Sequence, residues 1–118
     1  MLRLFWDAAV ALDSDARSVD ERQMPLCRAG ALSAVWKEGG LTGVQEQPIK
    51  ILMRFTSFAD FWEPFLAGQG PAGAYVKGLT SEHQLVLRDR LMRLLPRRAR
   101  QGAFELSASA WAVRGTVQ

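Results

Sequence analysis

Few residues of this chain could carry chemistry, and they lie far apart. There is one histidine, His83, and one cysteine, Cys27. His83 follows Glu82 in the first turn of an expected helix, and a lone imidazole with one carboxylate neighbour is more often a surface pair than a general base. Cys27 precedes Arg28 near a helix start, where a cation favours a reactive thiolate; the same residue type also serves as a small, inert hydrophobe. One cysteine excludes both an internal disulfide and a cysteine-built metal site. Asp13, Asp15, Asp20 and Glu21 gather carboxylates, but without the order and central glycine of a calcium loop. The glycines of Gly68-Gln69-Gly70-Pro71 follow a helix rather than a strand, and Pro71 removes a donor that a bound phosphate would want.

Two larger groupings remain. Arg88, Arg90, Arg93, Arg97, Arg98 and Arg100 hold most of the net charge of +3: residues 1–60 carry seven Lys/Arg against eight Asp/Glu, residues 61–118 eight against four. A phosphate-contacting stripe would look like this, yet no aromatic lies between the arginines on which a base could stack. Arginines on the outer face and C-terminal end of a helix also complement its dipole, so a solvated face is the expectation and nucleic acid is not the expected partner. The second grouping is aromatic. Phe58, Phe61, Trp62 and Phe65 form a stripe that reads first as core, although four tryptophans in so short a chain would also suit an apolar binding wall.

The 118 residues, 48% apolar and 23% charged, suit one domain that buries about two-thirds of its extended surface. No apolar run approaches the length of a membrane span, and Asp7 interrupts the apolar start, so neither a membrane anchor nor a signal peptide is expected and a cytoplasmic location is. Leu2–Leu12 is apolar at nearly every position and free of Gly and Pro, which predicts a helix wanting cover on more than one side. Residues 14–27 read as a loop. Arg28–Glu38 reads as a helix with Leu32, Val35 and Trp36 in step, stopped by Gly39-Gly40. Val44–Phe55 alternates as a strand, with Pro48 marking a bulge or an edge.

Ser57–Ala67 has the clearest helical stripe, with Ser57 as cap and Asp60 in the reciprocal position of a capping box. A short helix over Ala72–Lys77 and a longer one over Ser81–Leu95, capped by Thr80, should follow. In the longer one Leu87, Leu91, Leu94 and Leu95 face inward and Pro96 closes it. Ala103–Arg114 alternates strictly, and its small residues Ala108, Ala110 and Ala112 leave room for a helix to lie close. Two strands make only a marginal ribbon. The helices carry more apolar surface than it can cover, so the chain either forms a homodimer or belongs to something larger.

Whole segments are also familiar. MLRLFWDAAVALD at 1–13, PLCRAGALSAVWKEGGL at 25–41, FTSFADFWEPFLAGQGPAGAYV at 55–76 and LSASAWAVRG at 106–115 resemble, in order and spacing, the C-terminal half of class I S-adenosylmethionine-dependent methyltransferases of the small-molecule, UbiE-like branch. The FW-x-PFL-x-GQGP-x-x-x-Y stretch and the terminal AWAVRG are the most specific. The resemblance implies an α/β fold, a fragment of a doubly wound Rossmann-like sheet, with an antiparallel ribbon of about 44–55 and 103–114 as the sixth and seventh strands and four to five helices. Leu2–Leu12 would follow the fifth strand, Gly39-Gly40-Leu41 would match the helix end before the sixth, and 56–96 would be the insertion that shapes the acceptor pocket.

The same resemblance implies transfer of a methyl group to a small-molecule acceptor, with Phe5, Trp6, Trp62, Phe65, Gln69 and Tyr75 on the acceptor wall. The family's G-x-G-x-G cofactor loop and its ribose-binding acid do not occur here. The expectation is therefore a single partial domain, from a truncated frame, a misplaced start or a split gene, that binds no S-adenosylmethionine by itself. A non-catalytic interaction module, either a homodimer or the partner of a separate N-terminal half, is the alternative.

Overall fold

The computed structural model describes all residues, Met1 to Gln118. Five α-helices and two strands follow in the order α1 (Leu2–Leu12), α2 (Ala31–Glu38), β1 (Thr42–Phe55), α3 (Phe58–Leu66), α4 (Gly70–Gly78), α5 (Ser81–Leu94) and β2 (Phe104–Thr116). β1 and β2 pair antiparallel in a two-stranded sheet, from Phe55 opposite Phe104 to Thr42 opposite Thr116. The segment expected as a loop after α1 holds two 3₁₀ turns, Ser14–Val19 and Glu21–Gln23. Asp13 and Asp20 cap them by accepting the amides of Asp15 and Arg22. Short aspartates that bond the backbone two residues on favour such turns over open loop.

Local chemistry sets most of the element ends. The Ser57 hydroxyl accepts the Asp60 amide at 3.2 Å. The Asp60 carboxylate reaches one residue further back than a capping box requires and takes the Thr56 amide at 2.9 Å. Thr80 accepts the His83 amide and starts α5. At the end of α2, Gly40 takes φ +81°, the Leu41 amide bonds the Trp36 carbonyl and the Gly40 amide bonds that of Lys37, the paired bonds of a Schellman stop. The irregularity of the ribbon lies between Thr42 and Gln45, at Gly43 with φ +60°, and not at Pro48, which pairs in register with Trp111. Pro48 does sit on a strand with an open edge.

The core is helical, and it meets part of the helices' need for cover. Phe5, Trp6, Ala8 and Ala9 of α1 pack with Phe58, Phe61, Trp62 and Phe65 of α3, Ala72 and Val76 of α4, and Leu87 and Leu91 of α5; Phe104 is the one strand residue among the sixteen buried hydrophobics. α1 thus rests its inner side on its neighbouring helices. Its outer side, with Leu2 and Leu12, stays partly exposed. Leu94 was expected inward and is 47% exposed, because Leu87, Leu91 and Leu95 already fill that side of α5.

The ribbon projects from this core and is left bare. Only its Phe55/Phe104 end enters the helical cluster. Further out, Ile49 and Ile51 share a face with Ala108 and Ala110, and no helix covers them: Ile49 is 51% and Ile51 56% exposed. The alanines therefore make no room for a helix of this chain. The opposite face is covered only at its far end, by α2, where Leu32 and Trp36 are partly buried and Val35 is 50% exposed.

Global dimensions agree. The radius of gyration is 17.2 Å, against about 13.5 Å for a compact chain of this length. The accessible surface is 7997 Å², against roughly 6,400 Å² for a folded monomer of this mass. The chain buries about 58% of its extended surface rather than the two-thirds expected. The surplus is shared by the ribbon, the exposed segment before α2 and the outer faces of the helices.

α2 is held to the ribbon by a contact between distant segments. Glu46 on β1 accepts the Gly30 amide at 2.6 Å and the Ser33 amide at 2.8 Å, capping α2 from the strand. These backbone donors, Gly30 first and then Ser33, hold the Glu46 carboxyl below the usual glutamate range. A folded-state pKa below the unfolded one means the contribution is complete above the ordinary value and lost as pH falls through the lowered one. Glu46→Gln is therefore expected to speed amide exchange at Gly30 and Ser33 at neutral pH. The unaltered chain should show the same loosening only in acid, below the ordinary glutamate range, as followed by NMR.

Candidate functional site

The expected acceptor-wall residues fall into three environments. Phe5, Trp6, Phe65 and Tyr75 come together: Phe5 stacks on Phe65 at 4.7 Å, meets Trp6 edge-on at 5.1 Å, and lies 6.4 Å from Tyr75. Phe5 and Trp6 are 0% and 1% exposed, so their rings serve the core and present no surface to a ligand in this arrangement. Trp62 packs against Phe58 and Phe65, 5% exposed, and borders neither of the two cavities described next. Phe65, Gln69 and Tyr75 do border a cavity.

The first cavity, about 340 Å³, opens where α1, the α3–α4 turn and the ribbon meet. Phe65, Pro64, Phe55 and Met53 supply apolar walls, and Gln69 and Glu21 the polar side chains. Glu21 is fixed in place, since its Oε2 accepts the Trp6 indole N–H at 2.9 Å. The α3–α4 turn is tight: a Cβ on Gly73 would fall 2.5 Å from the carbonyl carbon of Gly68, so only glycine lets the two segments touch there. That closeness, with Gly68 and Gly70 in the left-handed region at φ +83° and +65°, delivers Gln69 to the cavity edge. The glycines serve a helix–helix turn, as their position after a helix implies.

The second cavity, about 420 Å³, lies between α1, α4 and α5. Tyr75 donates its hydroxyl to Asp13 Oδ2 at 3.2 Å. Burial, and then the neighbouring carboxylate, push the Tyr75 hydroxyl up to about 12. His83 stands at the rim of this cavity.

No family model matches the chain, and no curated protein or solved structure matches it.

Nothing in the side-chain geometry forms a nucleophile–base pair. Cys27 is exposed, and its carbonyl takes the Trp111 indole N–H at 3.1 Å. No three His, Cys, Asp or Glu side chains converge to hold a metal ion. The acidic run after α1 is structural. Asp20 is 2% exposed and paired with Arg22. Burial alone would raise the Asp20 carboxyl, but the Arg22 hydrogen bonds and charge outweigh it and hold it low. The arginines on and after α5 are half-buried or exposed, with Arg88 5.7 Å over the Phe58 ring and Arg100 bonded to the Met92 carbonyl. No helix is long and apolar enough to cross a membrane.

Glu21, Met53 and Asp13 are among the cavity residues that were not anticipated. Glu21 and Asp13 sit in segments whose polarity signals turns, and Met53 belongs to the alternating face of β1. Only the close return of α3 and α4 onto α1 brings them to cavities, and residue spacing carries no sign of it.

Proposed function

We propose that this chain is the substrate-side portion of an S-adenosylmethionine-dependent methyltransferase acting on a small-molecule acceptor. Its ribbon would be the outer antiparallel pair of a doubly wound sheet, with the open edge of β2 meant for a further strand. The observation that carries this reading is the bare ribbon beside the first cavity: an apolar face and a free strand edge are left open where a wider sheet would lie. Helices α3 and α4, inserted between the two strands, close the other side of that cavity, as an acceptor-shaping insertion would. The segment resemblance at 1–13, 25–41, 55–76 and 106–115 supports the same assignment.

Methyl transfer asks mainly that acceptor and methyl group be held in line. Here Phe65 and Met53 would grip an apolar acceptor while Gln69 orients its polar atom and Glu21 stands ready to accept its proton. The cofactor would supply the methyl group from outside these residues. Isothermal titration of the chain with S-adenosylmethionine is expected to give no saturable heat, whereas phenol and aniline, used as acceptor surrogates, should quench tryptophan fluorescence saturably. Gln69→Trp, which fills the cavity from an exposed position, should weaken that quenching at least tenfold. One-to-one cofactor binding, or quenching indifferent to Gln69→Trp, would contradict the proposal.

A second reading rests on the same surplus of roughly 1,600 Å². It exceeds the ~800 Å² that one partner contributes to a standard interface, and Ile49, Ile51 and Leu52 place part of it on the ribbon, which would then serve a non-catalytic module that pairs with a second copy. An association that saturates at a defined dimer favours this reading; open-ended association favours an incomplete sheet.

A further inference from the structure

We propose that the groove between α1, α4 and α5 is a binding site for a small apolar amine, whose ammonium group pairs with Asp13 while its hydrocarbon lies along Leu12, Leu79 and Val86. The volume of about 420 Å³ is that of a small-molecule site. Its walls are mostly apolar, and Leu12 and Val86 stand 42% and 46% exposed at the opening, where hydrocarbon on a ligand would cover them.

Charge selects the amine. Asp13 is the one carboxylate of the groove, and no lysine or arginine borders it. Its oxygens are met only by neutral donors, the Asp15 amide at 3.0 Å and the Tyr75 hydroxyl at 3.2 Å, while the chain's ion pairs gather elsewhere, on Asp7, Asp20, Asp89 and Glu105. A carboxylate beside apolar walls attracts a cation far more strongly than one in open water. The Tyr75 hydroxyl keeps its proton and thereby orients the carboxylate without neutralising it. His83 at the rim is the other titratable side chain of the groove. This site is separate from the first cavity and does not depend on the methyltransferase reading.

Hexylammonium, hexanol and hexanoate, titrated into the full chain and followed by amide NMR, test the assignment. Hexylammonium should give saturable shifts confined to residues 9–13, 75–79 and 83–87, bind at least tenfold more tightly than hexanol, and leave hexanoate without effect. Asp13→Asn should reduce hexylammonium to the affinity of hexanol. Tyr75→Phe keeps the charge and should keep the preference, which holds the test open should Asp13→Asn fail to fold. Equal binding of hexylammonium and hexanol by the unaltered chain would overturn the proposal. So would shifts outside those three segments, or a preference that survives Asp13→Asn.

Discussion

Phe5→Ala should abolish the cooperative thermal transition of this chain or lower its midpoint by about 15 °C or more. Phe5 is fully buried, stacked on Phe65 and edge-on to Trp6, at the point where α1 meets α3 and α4. Truncating such a phenylalanine costs about 3–5 kcal/mol through lost burial and the cavity left behind. A whole domain is commonly stable by only 5–15 kcal/mol. With sixteen buried hydrophobics and a bare ribbon, this chain belongs at the lower end of that range. Circular dichroism on heating should therefore show either no transition or a midpoint lowered by about 15 °C or more. Leu85→Ala, at a position 57% exposed, is the control and should move the midpoint little. A small effect of Phe5→Ala would mean that the aromatic cluster does not hold the helices together.

Ile49→Lys with Ile51→Lys should have the opposite profile, little change in stability and a large change in association. Both side chains are more than half exposed on the same face of β1, opposite Ala110 and Ala108, so little native packing is lost. An apolar ribbon with an open edge is prone to pair with another chain. Each isoleucine fully covered at such a contact contributes about 1.5–3 kcal/mol relative to exposure. Removing two, and adding charges that repel a second copy, should weaken self-association well over tenfold. Light scattering across a concentration series measures this directly. Unchanged association in the double variant would place the contact elsewhere.

Most of the elements were legible in the sequence because each is specified by its own residues. The stripe Phe58, Phe61, Trp62, Phe65 reads as a helix face with or without neighbours, and all four are buried. Ser57, Thr80 and Gly40 mark helix ends through bonds made within a few residues. What the sequence did not show depends on distant segments meeting. Glu46 looks like an ordinary strand residue and in fact caps α2, thirteen to sixteen residues away. Pro48 pointed to a bulge or an edge: its strand has an open edge, while the irregularity formed at Gly43, where a left-handed residue makes it cheap.

Apolar helices were expected to lack cover, and in part they do: aromatic rings from α1 and α3 cover one another, while Leu12, Leu66, Leu85 and Leu94 stay exposed, as do Ile49, Ile51 and Leu52 on the ribbon. The cavity residues follow the same division: Gln69 and Phe65 lie in a motif that pointed to a pocket, while Glu21 and Asp13 became visible only once α1, α3 and α4 had closed together.

The exposed ribbon can be examined most directly by small-angle X-ray scattering on the size-exclusion peak, extrapolated to low concentration. A 13.1 kDa particle with a radius of gyration near 17.2 Å is the predicted result. A monomer of that mass measuring about 13.5 Å, the size of a self-contained domain, would contradict it.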